Sequence, residues 1–264
     1  MEVLGYIASV LIGLSLGLIG GGGSILTVPV LVYLFHIDAT LATSYSLFIV
    51  GSSSLVGAVR NYMKGWVSIK TALLFGLSSI TTVFITRKLI VPKIPHDIAT
   101  IGSVTLTKPV LTMVLFAALM LMASLSMIRS KQSEQETVAD NSIAVSKLFL
   151  YGIGIGLVTG LLGAGGGFLI IPALVLFVKL PMKEAIGTSL LIIALNSLIG
   201  FTGDIGQYNT DWYFLFKITA IAIAGIFIGG ELGKKISGAK LKKGFGWFVL
   251  AMGIWILVRE IILK

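Results

Sequence analysis

The chain has 264 residues, of which 56% are hydrophobic and 12% charged, and its mean hydropathy is +1.02. A water-soluble domain of this length carries about twice that share of charge, so the composition excludes one and predicts an all-α polytopic membrane protein. The lack of cysteine excludes disulfides and thiolate chemistry. The net charge of +9 lies mostly between apolar runs, which orients a membrane protein and argues against nucleic acid as a partner.

Apolar runs fall at residues 3–35, 41–59, 66–86, 109–128, 148–178, 185–203, 212–233 and 244–262. Six approach the roughly 20 residues that cross a bilayer. Residues 3–35 and 148–178 are too long for one ordinary crossing, and each is interrupted by glycines. Between the halves, RSKQSEQETVADNS (Arg129 to Ser142) has no apolar periodicity and reads as a linker. The expected organisation is a membrane repeat over 1–128, a polar linker over 129–146 and a second membrane repeat over 147–264. Asp38, Thr107 before Pro109, and Thr210–Asp211 suit the starts of the helices that follow them, as do Pro181 and Glu184.

The halves resemble each other. A shift of 143 residues lays Gly13–Gly57 on Gly156–Gly200 without a gap, with 18 of 45 positions identical. Gly20, Gly22, Gly23 and Pro29 fall on Gly163, Gly165, Gly166 and Pro172. The chain is a duplication. If each long element crosses once, the halves are parallel; if each folds back as a re-entrant hairpin, they are inverted. Charge decides neither, and both arrangements put the acidic 204–211 loop and the C-terminus outside.

The chemistry is expected at Gly20-Gly21-Gly22-Gly23-Ser24 and at Gly163, Gly165, Gly166 and Gly167. Consecutive glycines favour non-helical backbone, and Pro29 and Pro172 are expected to extend each break. Open backbone in hydrocarbon survives only where it is buried in protein or lines a polar cavity, so two matched breaks point to a shared interior site. A helix restarting after a break turns amide hydrogens and a positive dipole end towards it, which favours anions. The bland alternative is close helix packing, which Gly13-x-x-x-Gly17 and Gly156-x-x-x-Gly160 supply.

On the second run of each half, Ser44, Tyr45, Ser46 and Ser53 stand opposite Gly187, Thr188, Ser189 and Asn196. Ser46 and Ser53 share a helix face, as do Ser189 and Asn196. Thr188, Ser189, Asn196, Ser46 and Ser53 are therefore candidate neutral donors to an oxyanion. Arg60 is a candidate funnel for anions. Asp204, Lys70 and Lys217 read as interfacial charges, and Glu231 as the helix-end partner of Lys234 and Lys235. Neither His36 nor His96 belongs to a metal cluster, so no metal or cofactor is expected. A serine–histidine or paired-carboxylate site is missing from the apolar runs, which argues against an enzyme. Gly225, Gly229 and Gly230 could pack helices within one chain or between two, which leaves a homodimer open.

The paired GxxGGGGS and GxxGAGGG breaks, each followed by proline, resemble the TauE/SafE family of membrane transporters, as does GTSL at Gly187–Leu190. The first half departs from that pattern at Ser44-Tyr45-Ser46-Leu47, where Tyr45 would narrow its side of a pocket. The resemblance implies about eight membrane spans and a permease for sulfite, sulfonates or related organosulfur and carboxylate anions. It fits a prokaryotic inner membrane, with the anion bound where the repeats meet. A non-transporting scaffold is the alternative.

Overall fold

A computed structural model describes residues 2–262 apart from 22, 96, 102–103, 130–144, 177 and 233–237. The architecture is helical: α1 (Glu2–Ile19), α2 (Ser24–Tyr33), α3 (Ala39–Tyr62), α4 (Ile69–Ile85), α5 (Lys108–Arg129), α6 (Val145–Leu162), α7 (Gly167–Leu176), α8 (Met182–Asp204), α9 (Trp212–Leu232) and α10 (Gly238–Ile262). A π-helical turn, Thr86–Ile90, and a short 3-10 turn, Val91–Lys93, extend α4. An antiparallel hairpin, β1 (Asp97–Ile101) and β2 (Val104–Thr107), leads into α5. Five described segments are long and apolar enough to cross a bilayer: 39–62, 69–93, 108–126, 182–204 and 212–232. Much of the outward surface is apolar, with Leu4, Leu77, Met122, Phe216 and Trp247 all exposed. Serines, threonines and Asn196 are buried inside. That distribution suits a hydrocarbon solvent.

Each long run is broken where the glycines stand. Gly20, Gly163, Gly165 and Gly166 adopt positive φ, between 65° and 81°, which side-chain-bearing residues rarely tolerate. Past the first break the chain doubles back. Gly23 packs on Ile12 and Leu16 of α1, and Phe35 beyond α2 packs on Gly5. Tyr6 and Phe35 meet edge to face at 5.6 Å. Past the second break, Gly166 likewise packs on Ile155 and Thr159 of α6.

The prolines do not extend the breaks. Pro29 lies inside α2 and Pro172 inside α7, each well past the first turn. Proline's fixed φ is compatible with a helix, and each ring costs one backbone hydrogen bond. The break belongs to the glycines alone.

The helices of the two halves interleave. α1 packs along α9, α6 along α4, α3 against α8, and α5 against α10. Small residues make the first two pairings close. Gly13 and Gly17 sit on Ala222 and Ile226, while Gly225 and Gly229 sit on Val10 and Leu14. Gly156 and Gly160 sit on Ser79 and Thr86. Gly225 and Gly229 thus pack within one chain. The order of contacts makes α1 parallel to α9 and α4 parallel to α6. Gly51 against Leu198 and Gly57 against Leu190 make α3 and α8 antiparallel.

Two faces result. On one lie the α2–α3 and α8–α9 turns and the end of α10. There the Asp211 amide donates to the Tyr45 hydroxyl at 2.7 Å, Lys217 donates to Tyr6, and Tyr33 donates to Glu260 at 3.0 Å. On the other lie the α3–α4 turn and the start of α8, where the Ser68 amide donates to Thr188 Oγ1 at 2.9 Å. Asp38 caps α3 through the Thr40 and Leu41 amides, and Asp211 caps α9 through the Phe214 amide.

Candidate functional site

The two breaks meet. Gly21 and Gly167 touch backbone to backbone, so a Cβ on either would land on the other's main chain. Gly20, Gly21 and Gly23, and Gly163 through Gly167, are all buried, and Gly22 lies outside the described residues. Gly167 is the first residue of α7, and Ser24, three residues past Gly21, is the first of α2. The positive ends of both short helices are therefore brought to the same interior place.

α3 and α8 flank this junction. Ser46 donates to the Gly163 carbonyl at 2.7 Å, pinning the second break to the first half. Ser24 Oγ donates to the Gly21 carbonyl at 2.8 Å. A Cβ on Gly165 would stand 2.8 Å from Val50 Cγ1, 3.1 Å from Ile193 Cγ2 and 3.3 Å from Ser197 Oγ. The Ser197 hydroxyl thus faces the break, and it is buried with no hydrogen-bond partner among the described residues. The same holds for Ser53 Oγ, Ser54 Oγ and Asn196 Nδ2, while Asn196 Oδ1 accepts from Ser79 at 2.9 Å. Unpartnered buried donors cost roughly 1–3 kcal/mol each, and of these four Ser197 is the one placed against the break, the others lying along the flanking helices α3 and α8.

Other candidates are occupied elsewhere. Ser189 bonds back to the Ile186 carbonyl of its own helix. Thr188 is held by the α3–α4 turn. Tyr45 does not narrow an interior pocket; its hydroxyl holds Asp211 and its ring lies 6.0 Å from Phe214. Arg60 pairs with Glu231, donates to the Phe227 carbonyl at 3.5 Å and lies over the Phe227 ring. Glu231 is therefore the partner of Arg60 across two helices. The expected partners Lys234 and Lys235 lie outside the described residues.

Asp204 is not interfacial. It is 3% exposed and pairs with Arg87, itself 0% exposed, at 3.3 Å. Ser54 and Ser197 carry no local signal in the sequence beyond the 143-residue shift that lays one on the other. Arg87 escaped notice because it stands at the end of an apolar run, where a solvated position is the ordinary reading.

Residues 5–256 match the sulfite exporter TauE/SafE family. The chain belongs to that family. It is accordingly a membrane transporter, an integral membrane protein with five described helical segments long and apolar enough to span the bilayer. Among curated relatives, a probable membrane transporter protein of Xylella fastidiosa is 29% identical over 258 residues, covering 95% of this chain and 92% of the relative. The probable membrane transporter protein YdhB of Bacillus subtilis is 28% identical over 225 residues, covering 84% and 86%. A probable membrane transporter protein of Methanocaldococcus jannaschii, MJ0441, is 24% identical over 266 residues, covering 96% and 94%. No solved structure matches the chain.

Proposed function

We propose that this TauE/SafE transporter is a secondary permease for small anions: sulfite, sulfonates, or related organosulfur and carboxylate anions. One observation carries the reading. The two glycine breaks touch at Gly21 and Gly167, the unpartnered Ser197 hydroxyl faces the second of them, and further unpartnered donors from Ser53, Ser54 and Asn196 lie along the flanking helices α3 and α8. Neutral donors and helix N-termini stabilise an oxyanion without the binding strength of a full charge, so the solute can also leave. The family name, sulfite exporter, points to the same class of solute.

The basic residues suggest an orientation. Lys64, Lys179 and Lys183 stand on the face of the α3–α4 turn, and Arg129 and Lys147 lie at the helix ends leading there. By the positive-inside rule that face is cytoplasmic, in a bacterial or archaeal inner membrane. Driving force comes from the solute gradient, the membrane potential or protons. Export of a monovalent anion gains about 2.3 kcal/mol per 100 mV.

The test is uptake into proteoliposomes of sulfite, sulfoacetate, sulfate and short carboxylates, with and without a proton gradient. Saturable uptake of at least one anion supports the reading. Failure to respond to every member of the panel overturns it and leaves the scaffold alternative.

A further inference from the structure

Two arginine–carboxylate pairs stand at opposite ends of the helix bundle and are built alike. Arg87, in the π-helical turn after α4, lies against Gly203 of α8 and pairs with the next residue, Asp204. Arg60, near the end of α3, lies against Gly230 of α9 and pairs with the next residue, Glu231. The 143-residue shift lays Arg60 on Gly203 and Arg87 on Gly230. Each end therefore carries the same device with the roles exchanged: an arginine facing a glycine, and a carboxylate directly after that glycine.

The two ends differ in exposure. The Arg87 and Asp204 side chains are 0% and 1% exposed, while those of Arg60 and Glu231 are 19% and 59% exposed. The Arg87 pair is sealed inside the protein, and the Arg60 pair lies at its surface.

Three features separate the Arg87 pair from a mere structural salt bridge. None of the three guanidinium nitrogens makes a hydrogen bond with proper geometry among the described residues, and the Ser44 hydroxyl is the one group near enough to donate to the Asp204 carboxylate. A bridge kept for stability inside a membrane needs saturated hydrogen bonding to offset desolvation. Arg87 also sits in a π-helical turn, a helical irregularity common at functional sites. Finally, the pair lies beside the second glycine break. Thr86 packs on Gly160, one turn before the second break, and Ser44 lies beside Asp204 while Ser46 holds the Gly163 carbonyl.

We infer that Arg87 is an anion-receiving cation, built as the structural counterpart of Arg60, and that Asp204 is the stand-in ligand that occupies it while the pair stays sealed. The inference rests on the small-anion reading above. As this end opens, water reaches the carboxylate and the guanidinium exchanges it for the solute. A sulfite or carboxylate oxyanion then accepts the parallel hydrogen bonds that Asp204 leaves unformed. Lys108 lies near enough to act on the pair through charge, as does Tyr208 in the α8–α9 turn, and Asp38 acts in turn on these two. Burial, and then the Asp204 carboxylate, push the Tyr208 phenol above its ordinary range, so Tyr208 contributes a neutral hydroxyl.

The test compares Arg87→Lys, Asp204→Asn and the double variant Arg87→Gln/Asp204→Asn as full-length protein. Uptake of radiolabelled sulfite and sulfite-dependent melting are read for each. The double variant leaves no unpaired charge, so it folds, and its sulfite uptake falls at least tenfold. Arg87→Lys raises KM for sulfite several-fold and keeps most of the maximal rate. Asp204→Asn, which melts lower without ligand, gains a larger sulfite-induced rise in melting temperature than wild type. Wild-type uptake by the double variant overturns the inference and leaves the anion reading intact. Lack of response to any anion by the wild-type protein overturns both.

Discussion

Gly21 and Gly167 touch main chain to main chain, which joins two helix breaks that lie 146 positions apart in the sequence. No side chain fits between them. Gly21→Ala or Gly167→Ala therefore drives a methyl group into backbone, and overpacking of that kind costs about 1–3 kcal/mol. A lowered melting temperature of the purified protein checks this, with uptake reduced in whatever protein remains folded. Gly154→Ala, where a Cβ meets nothing within 4 Å, is the control that leaves both unchanged.

The flanking donors behave differently. Ser53→Ala, Ser54→Ala and Ser197→Ala each remove a hydroxyl that has no partner among the described residues. Deleting an unsatisfied buried donor is neutral or stabilising, so melting temperatures hold or rise while uptake falls. Asn196→Ala also strips the acceptor of Ser79, so it loses both stability and uptake. A paired measurement of melting and transport separates the two classes.

Pro29 supplies a contrast with the glycines. It lies within α2, so Pro29→Ala restores an amide that can bond the Ile25 carbonyl without altering the break. Stability holds or rises and transport persists. Loss of transport with intact folding would return the proline to the break.

Topology is accessible because the chain has no cysteine of its own. Asn209→Cys and Lys64→Cys place single thiols at exposed positions on opposite faces. An impermeant thiol reagent applied to intact cells labels Cys at 209 and reaches Cys at 64 only after permeabilisation. The reverse result inverts the orientation given by the basic residues.

Much of the fold was legible because bilayer chemistry leaves few choices. Apolar length, glycine clusters and the 143-residue match announced broken helices and their pairing. Closeness within the site was legible in part. Gly21 and Gly167 could be nominated from glycine content, but only three-dimensional contact shows that they touch. The shared helix face of Ser46 and Ser53 makes Ser46 a candidate donor to a solute, whereas its hydroxyl is spent on the Gly163 carbonyl. Arg87 and Asp204 lie 117 residues apart, on helices of different halves, and no local pattern links them. Tyr45 departed from the family pattern, which suggested a narrowed pocket. Its partner is the Asp211 amide, which sequence alone could not indicate.

The central claim is that a small oxyanion binds at the meeting of the two glycine breaks. Equilibrium binding of radiolabelled sulfite to the purified Ser53→Ala/Ser197→Ala variant, beside wild type, tests it most directly. Wild type binds saturably, and the variant melts at or above the wild-type temperature with affinity at least tenfold weaker. Undiminished affinity in a well-folded variant would contradict the claim and send the search for the anion elsewhere in the bundle.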